Sequence, residues 1–383
     1  MNIIYMDNAA TSWPKPETVY QAVDQFNRKM GANPGRGSNH KTLEAGGVLL
    51  ETREALAELF NINDSSCLVF TANVTESLNI GLKGWLNPGD HVIISGMEHN
   101  AVARPISSLQ QSGVEVSVVP CDERGRLDPH DVELAFRDNT TMVCMLHASN
   151  ITGTIMPIAE IGKIAHQNEA VFMVDAAQTA GVLPLNVKAQ NIDLLAFTGH
   201  KGLMGPQGTG GLYIRPGLKI RPLIEGGTGS LSEHAYQPEF MPDRFESGTP
   251  NTPGIAGLGA GVRFIMETGI EQIRRHEQEL TDRLISGLQE IRGISLYGPG
   301  DSRQQTAVIS FNIEDMDCGE LSFLLDRKYG IITRSGLHCA PLAHRTLGTL
   351  RQGACRFSPG FFNTREDIDT VIKAVHEIVD GRR

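Results

Sequence analysis

The 383-residue sequence predicts an α/β protein in two parts. The larger part is a mostly parallel sheet with helices on both faces, and the smaller is an α+β domain. Three observations carry this expectation. Between about residues 65 and 215, short β-branched runs alternate with helix-length amphipathic stretches, as in repeated βαβ units. Several of those runs are almost wholly apolar, which suits strands covered on both faces. After Pro250 and Pro253 the alternation gives way to a long helical region and scattered short elements.

Taken in order, the strand candidates of the first part are Cys67–Phe70, His91–Ser95, Val114–Pro120, Met142–His147, Val171–Asp175, Asp193–Phe197 and Gly211–Ile214. Ile158–Gln167 reads as an amphipathic crossover helix, and Asn87-Pro88-Gly89-Asp90 as a turn leading into the second strand. A helical region from about Ile255 to Ile291 is interrupted near Gly269. A strand at Ala307–Asn312, a helix near Glu320–Lys328, two further short strands and a final helix complete the chain. Thr364 and Asp367 have the spacing of a capping box at the start of that last helix. With no internal repeat or flexible linker, the expected division is 15–255 for the large domain, with 1–14 and 256–383 forming the small one.

Composition narrows the function classes. An apolar fraction of 40% and a charged fraction of 20% describe a folded globular chain. The formal charge is 34 − 44 = −10, with no Lys/Arg block to follow a phosphate backbone, which excludes nucleic acid as the main partner. The segment from Met1 to Asp7 lacks the basic and apolar regions of a signal peptide, and no run approaches the ~18 apolar residues of a membrane span. A cytoplasmic protein is therefore expected. The six cysteines form no Cys-x-x-Cys pair, which argues against zinc and against a disulfide framework. Most should be core residues, leaving local context to pick a reactive one.

The residues that carry chemistry fall just past the strand ends, where open α/β sheets bind ligands. Lys201 follows an apolar run within Thr198-Gly199-His200-Lys201-Gly202. A lysine partly desolvated there has a lowered pKa and a nucleophilic amine, although loop lysines as a class are solvated. Asp175 closes another apolar run, 201 − 175 = 26 residues earlier, one βα unit away. It fits either a helix N-cap or the partner of a protonated pyridine nitrogen in a bound cofactor. The stretch from Thr71 to Ser77 follows a strand and opens a helix, so the amides near Val74 and the Thr75 hydroxyl can cradle a phosphate, with Thr198 and His200 beside the lysine to complete it. His99 lies at the same edge, placed either to stack on an aromatic cofactor or as a surface histidine. Cys339 sits in Arg334-Ser335-Gly336-Leu337-His338-Cys339-Ala340-Pro341, where positive charge from Arg334 and His338 would favour a reactive thiolate. Cys355, in an apolar strand before Arg356, reads as core.

In their order along nearly the whole chain, these segments resemble the cysteine desulfurases of the class V aminotransferase family, pyridoxal-phosphate (PLP) enzymes of fold type I. The resemblance includes Tyr5-Met6-Asp7-Asn8-Ala9-Ala10-Thr11, Glu98-His99, Ser149-Asn150, Asp175 to Gln178 and Gly199-His200-Lys201. It continues through Glu246-Ser247-Gly248-Thr249-Pro250-Asn251, the Cys339 loop and Cys355-Arg356-Phe357-Ser358. It implies that Lys201 carries the cofactor, that Asp175 meets its ring nitrogen and Gln178 its ring hydroxyl, and that His99 stacks on the ring. Val74, Thr75, Thr198 and His200 then resemble phosphate ligands. Thr249 is similar to a residue that reaches the phosphate of a neighbouring subunit, which implies a homodimer.

Asn150 matches a position that contacts cofactor and substrate, and Arg356 one that pairs with the substrate carboxylate, whose geometry suits a guanidinium fork. Asn8, Ala9, Arg334 and His338 fall beside them as further substrate contacts. The implied reaction turns L-cysteine into L-alanine, with sulfur captured as a persulfide on Cys339 and passed to an acceptor protein. The short cysteine loop resembles the branch serving the Suf-type system of iron–sulfur cluster assembly, although Leu337 stands where that pattern has a histidine or tyrosine. Selenocysteine cleavage, another transferase or lyase of the same fold, and a silent sulfur-assembly partner are the alternative readings.

Overall fold

In a computed structural model, residues 3–35, 37 and 39–381 are described. Met1, Asn2, Arg382 and Arg383, the ends of the expected small domain, lie outside this range. The strands in chain order are β1 (Ile4–Tyr5), β2 (Leu68–Thr71), β3 (His91–Ser95), β4 (Glu115–Val119), β5 (Thr140–Leu146), β6 (Val171–Asp175), β7 (Leu194–Thr198) and β8 (Gly210–Ile214). They are followed by β9 (Ile294–Tyr297), β10 (Ile309–Ile313), β11 (Ile331–Ile332), β12 (Arg334–Gly336) and β13 (Ala354–Phe357).

Seven strands form the large sheet in the order β2-β8-β7-β6-β5-β3-β4. β3 to β7 run parallel, and β8 is antiparallel to both of its neighbours, so the sheet is mixed but mostly parallel, as expected. β3, β6, β7 and β8 are buried along their whole length, which explains their unbroken apolar sequences. Alternate residues feed two cores. Phe70, Ile93, Phe172 and Phe197 join one, and Val69, Ile94, Met173 and Ala196 join the other. The helices Val74–Trp85, Asn100–Gln111 and Ile158–Gln167 lie between successive strands in the chain. Because these strands are parallel, the carboxyl ends of β3, β5, β6 and β7 lie at one edge.

The second sheet, β12-β13-β10-β9, is antiparallel and has its own core around Leu284, Phe311, Leu325, Phe357 and Ile368. Sequence reading anticipated two short strands near the C-terminus. There are three, because the two-residue β11 pairs with β1. The N-terminal segment is thereby stitched to the small sheet, and the Ser358 amide donates to the Met6 carbonyl at 2.7 Å. A few residues on, the Ser12 amide donates to the His200 carbonyl at 3.0 Å, so one strap touches both parts.

The helical region divides into Thr252–Thr268 and Ile270–Gln289 at Gly269, whose φ of 88° breaks the run. Ile255, Leu258, Val262 and Ile265 of the first helix pack into the large core. The capping box is present: Thr364 accepts from the Asp367 amide at 3.1 Å, and Asp367 accepts from the Thr364 amide at 3.0 Å. No helix among the described residues is long and apolar enough to cross a membrane.

Candidate active site

Asp175 and Thr198 end neighbouring parallel strands, and Lys201 follows three residues after Thr198. Asp175 is buried and accepts the Ala177 amide at 2.9 Å. Burial pushes its carboxyl pKa up, while that hydrogen bond and the Lys201 charge pull it back. No helix directly follows Asp175, so the N-cap reading is replaced by a turn cap. It caps a turn with one oxygen, and it shares a field with Lys201. The Lys201 amine is lowered to about 8, first by burial, with the charges of Arg356 and Arg334 adding to it and Asp175 opposing. An amine with that pKa is partly neutral near physiological pH, as a nucleophile must be.

The two arginines come from the small sheet. Arg334 on β12 and Arg356 on β13 are direct cross-strand partners, so two cations share one spot. Arg356 is 1% exposed. Its Nη1 donates to the Asn150 carbonyl at 3.0 Å and its Nη2 to Asp7 Oδ1 at 2.6 Å. Asn150 is also buried. Its Nδ2 donates to the His338 carbonyl at 2.9 Å, and its Oδ1 has no partner among the described residues. One asparagine thus holds both Arg356 and the cysteine loop.

Cys339 is exposed, at φ 57°, next to His338 at φ 49°. Its carbonyl accepts the Asn100 amide at 2.8 Å, which ties the loop to the residue after His99. His99 is the N-cap of Asn100–Gln111, with Nδ1 accepting the Ala101 amide at 3.0 Å. Burial lowers its pKa to about 4, with further lowering by Lys201, Arg334, Arg104 and Arg356. A neutral, half-buried ring so placed is suited to lie against an aromatic ligand. His338 corrects the sequence reading. It is buried, its pKa falls to about 3, and its Nε2 donates to the Arg334 carbonyl at 3.3 Å. His338 therefore adds no positive charge beside Cys339 at neutral pH.

The remaining candidates, Thr249 excepted, occupy two places. Gln178 Nε2 donates to the Ala9 carbonyl at 3.1 Å, and Asn8, Ala9, Gln178 and Lys201 line one side of a cleft of about 550 Å³, counting its part open to solvent. Farther along the edge, Thr71, Gly210 and Thr198 are aligned across β2, β8 and β7. A Cβ on Gly210 would lie 2.8 Å from Asn73 Cα, so the glycine lets the start of Val74–Trp85 approach the sheet. Val74 and Thr75 open that helix, where amides lack intrahelical acceptors. His200 Nδ1, nearby in sequence to Thr198, is buried without a partner among the described residues, and burial first, with the charges of Lys201 and Lys15, lowers its pKa to about 4. Thr249 stands apart. It is exposed and accepts from Asn33 Nδ2 at 3.2 Å.

Sequence reasoning missed two features. Asp7 was noted only as part of a motif, yet it is the ion-pair partner of Arg356. Glu98 is fully buried near Asp175. Its Oε1 accepts from Ser95 Oγ at 2.6 Å and the Leu146 amide at 3.1 Å, and burial raises its pKa to about 8. Its position after a buried strand, before His99, was the available signal.

These residues fit PLP on physical grounds. A buried carboxyl shares a field with a depressed lysine, and an open helix start packs against Gly210, the cross-strand neighbour of Thr198. His200 Nδ1 lacks a partner among the described residues, and a neutral imidazole caps the helix after β3. Fold and site together define a transferase-fold enzyme of the PLP-dependent type, and the chain belongs to the aminotransferase class-V family, whose model matches residues 4–371. A probable cysteine desulfurase of Methanothermobacter thermautotrophicus is 38% identical over 98% of this chain and 94% of its own length. A cysteine desulfurase of Escherichia coli is 35% identical over 98% and 93%. Among solved structures, an apo cysteine desulfurase from Thermococcus onnurineus superposes with a TM-score of 0.94 at 36% identity, covering 99% of this chain and 95% of that one. The cysteine desulfurase CsdA of Escherichia coli, in an S-sulfonic acid form, gives 0.88 at 29% identity over 98% and 94%.

Proposed function

We propose that this chain is a PLP-dependent cysteine desulfurase that converts L-cysteine to L-alanine and captures the sulfur as a persulfide on Cys339. The observation that carries this is the hydrogen bond from the Asn100 amide to the Cys339 carbonyl, which ties the loop bearing an exposed thiol to the residue after His99, whose charge field is shared with Lys201 and Arg356. Identity of 32–38% over nearly the full length to curated cysteine desulfurases supports it.

In this reading Lys201 carries the cofactor, Asp175 meets its ring nitrogen, Gln178 its ring hydroxyl and His99 its face. Val74, Thr75, Thr198 and His200 hold its phosphate. When bound, the cofactor supplies an electron sink for charge at the substrate α-carbon. The residues of the chain do the rest. Arg356, with Arg334 beside it, fixes the substrate carboxylate, while Asn8, Ala9, Asn150 and His338 shape the space around it. The Lys201 amine, neutral in useful proportion near pH 8, moves the α-proton. The Cys339 thiolate forms a bond to the substrate sulfur as the substrate C–S bond breaks, and a proton on the carbon left behind completes alanine. A thiol acceptor then takes the sulfur.

The same reading includes a homodimer, with Thr249 serving the partner subunit. Exposed Leu223, Ile224, Leu231, Tyr236 and Phe240 precede Thr249 in the chain and support burial against a second copy. It further includes a protein acceptor in cytoplasmic iron–sulfur cluster assembly of the Suf type. The division into 15–255, with 1–14 and 256–383 apart, is supported by the separate core of the small sheet, although the large core extends past residue 255.

The test is alanine and sulfide release from L-cysteine with a reductant, for the native protein and for Cys339→Ala. Equal release that collapses in the variant is expected. Release indifferent to the substitution would replace persulfide transfer by direct elimination.

A further inference from the structure

The N-terminal strap brings an acidic side chain into the cationic part of the site. Asp7 follows β1, forms a parallel bridge with Ser358 and places Oδ1 2.6 Å from Arg356 Nη2. The Asp7 side chain is 16% exposed against 1% for Arg356, so the anion is the partner nearer water. It takes only one of the available bonds. Arg356 Nε is buried and has no partner among the described residues. Across the ladder stands Arg334, with no ion-pair partner among the described residues.

Two cations directly opposite each other repel, and a guanidinium as buried as Arg356 is costly to leave uncompensated. Without a ligand, the local sum is two cations and one anion, 2 − 1 = +1. A ligand carboxylate would balance it. That carboxylate can also use the idle Nε together with Nη2, making two parallel bonds where Asp7 makes one. A displaced Asp7 would regain water cheaply, because its side chain already reaches the surface.

We propose that Asp7 holds the place of the substrate carboxylate on Arg356 in the resting site and yields it when the amino acid binds. Asp7 is thereby a specificity-determining residue for the reaction proposed above, on which this inference rests. It keeps the buried guanidinium compensated between turnovers and makes weak, single-bonded anions poor competitors. Only a carboxylate able to take both Nε and Nη2 displaces it.

The test uses propionate, which has the carboxylate but no amine to react at Lys201, with propionamide as its uncharged control. Binding to the holoenzyme is read by calorimetry for the native protein, Asp7→Asn and Asp7→Glu. Removing the internal competitor should tighten propionate binding about three- to tenfold in Asp7→Asn, while Asp7→Glu stays near the native value and propionamide fails to bind. Propionate binding that is unchanged or weakened in Asp7→Asn overturns the proposal. A crystal structure of the native protein with propionate gives a second reading that no folding defect can obscure. Loss of the contact between Asp7 and Arg356 supports the exchange, and its survival at 2.6 Å overturns it. Because calorimetry needs no turnover, a protein that releases no alanine from L-cysteine overturns the desulfurase reading and leaves the Asp7 result readable.

Discussion

The Asn100 amide donates to the Cys339 carbonyl at 2.8 Å, joining the cysteine loop of the small part to the helix that His99 caps in the large part. The bond uses backbone atoms, so replacing the thiol leaves it intact. Cys339→Ala should keep its cofactor absorbance and melting temperature, yet lose sulfur release from L-cysteine by about 100-fold or more. Parallel absorbance and sulfide assays check this, and a variant that sheds its cofactor would show that the thiol supports the fold.

Burial holds the Lys201 amine near 8, so its neutral fraction falls below that pH. After the cofactor is removed, the rate of PLP uptake by the apoprotein should rise about tenfold per pH unit below 8 and level off above it. Lys201→Ala should bind PLP weakly and show no such profile. Stopped-flow absorbance across pH 6–10 (roughly two units either side) makes the comparison. A flat profile in the native protein would mean that another group limits uptake.

Glu98 is the buried acid whose ionisation the fold resists, with a pKa raised from 4.5 to about 8. The folded state keeps its proton while the unfolded state loses it. The stability from this group is therefore fully present below 4.5 and falls as pH rises through 8. Glu98→Gln carries no ionisation, so it should gain on the native protein between pH 5 and pH 8, by at most about 5 kcal/mol. Melting temperatures at those two pH values decide it. An equal difference at both would place the ionisation outside this window.

Arg356 compensates Asp7 and the Asn150 carbonyl at once, within a buried site. Arg356→Lys keeps the charge but loses the planar fork, and should raise KM for L-cysteine about tenfold or more with a smaller change in kcat. It should also cost about 1–3 kcal/mol of stability, because a bond to a buried carbonyl is left unmade. Steady-state kinetics and thermal melts read the two effects separately.

Gly210 gives the phosphate end of the site its shape. A methyl group there meets the backbone at Asn73 Cα and at the Phe197 carbonyl, each 2.8 Å away, and neither can swing aside as a side chain would. Gly210→Ala should cost about 1–3 kcal/mol and weaken PLP affinity by pushing Val74–Trp85 off the sheet. Cofactor titration of the variant tests it. Native affinity would mean that the helix start does not hold the phosphate.

Much was legible in the sequence because the determining signals are local. The apolar runs that end at Asp175 and Thr198 can only be strands buried on both faces, and such strands leave Asp175 and Lys201 at one sheet edge. Gly269 and the pair Thr364 and Asp367 likewise mark their helix ends by backbone chemistry that needs no distant partner. The loop around Cys339 stood out by composition, but its charge did not. Arg334 and His338 look alike as cations in a sequence, and burial first, with the charges of Arg356 and Arg334, makes His338 neutral.

What only the tertiary structure decided depends on contacts between residues tens to hundreds of positions apart. The pairing of β1 with β11 carries Asp7 to Arg356, 349 residues later. The register of β12 on β13 sets Arg334 against Arg356, and the burial of Glu98 follows from strands closing around it. No periodicity encodes these meetings. They arise when two separately packed sheets dock through the N-terminal strap, and docking fixes which charges share low-dielectric space and so which of them must find a partner.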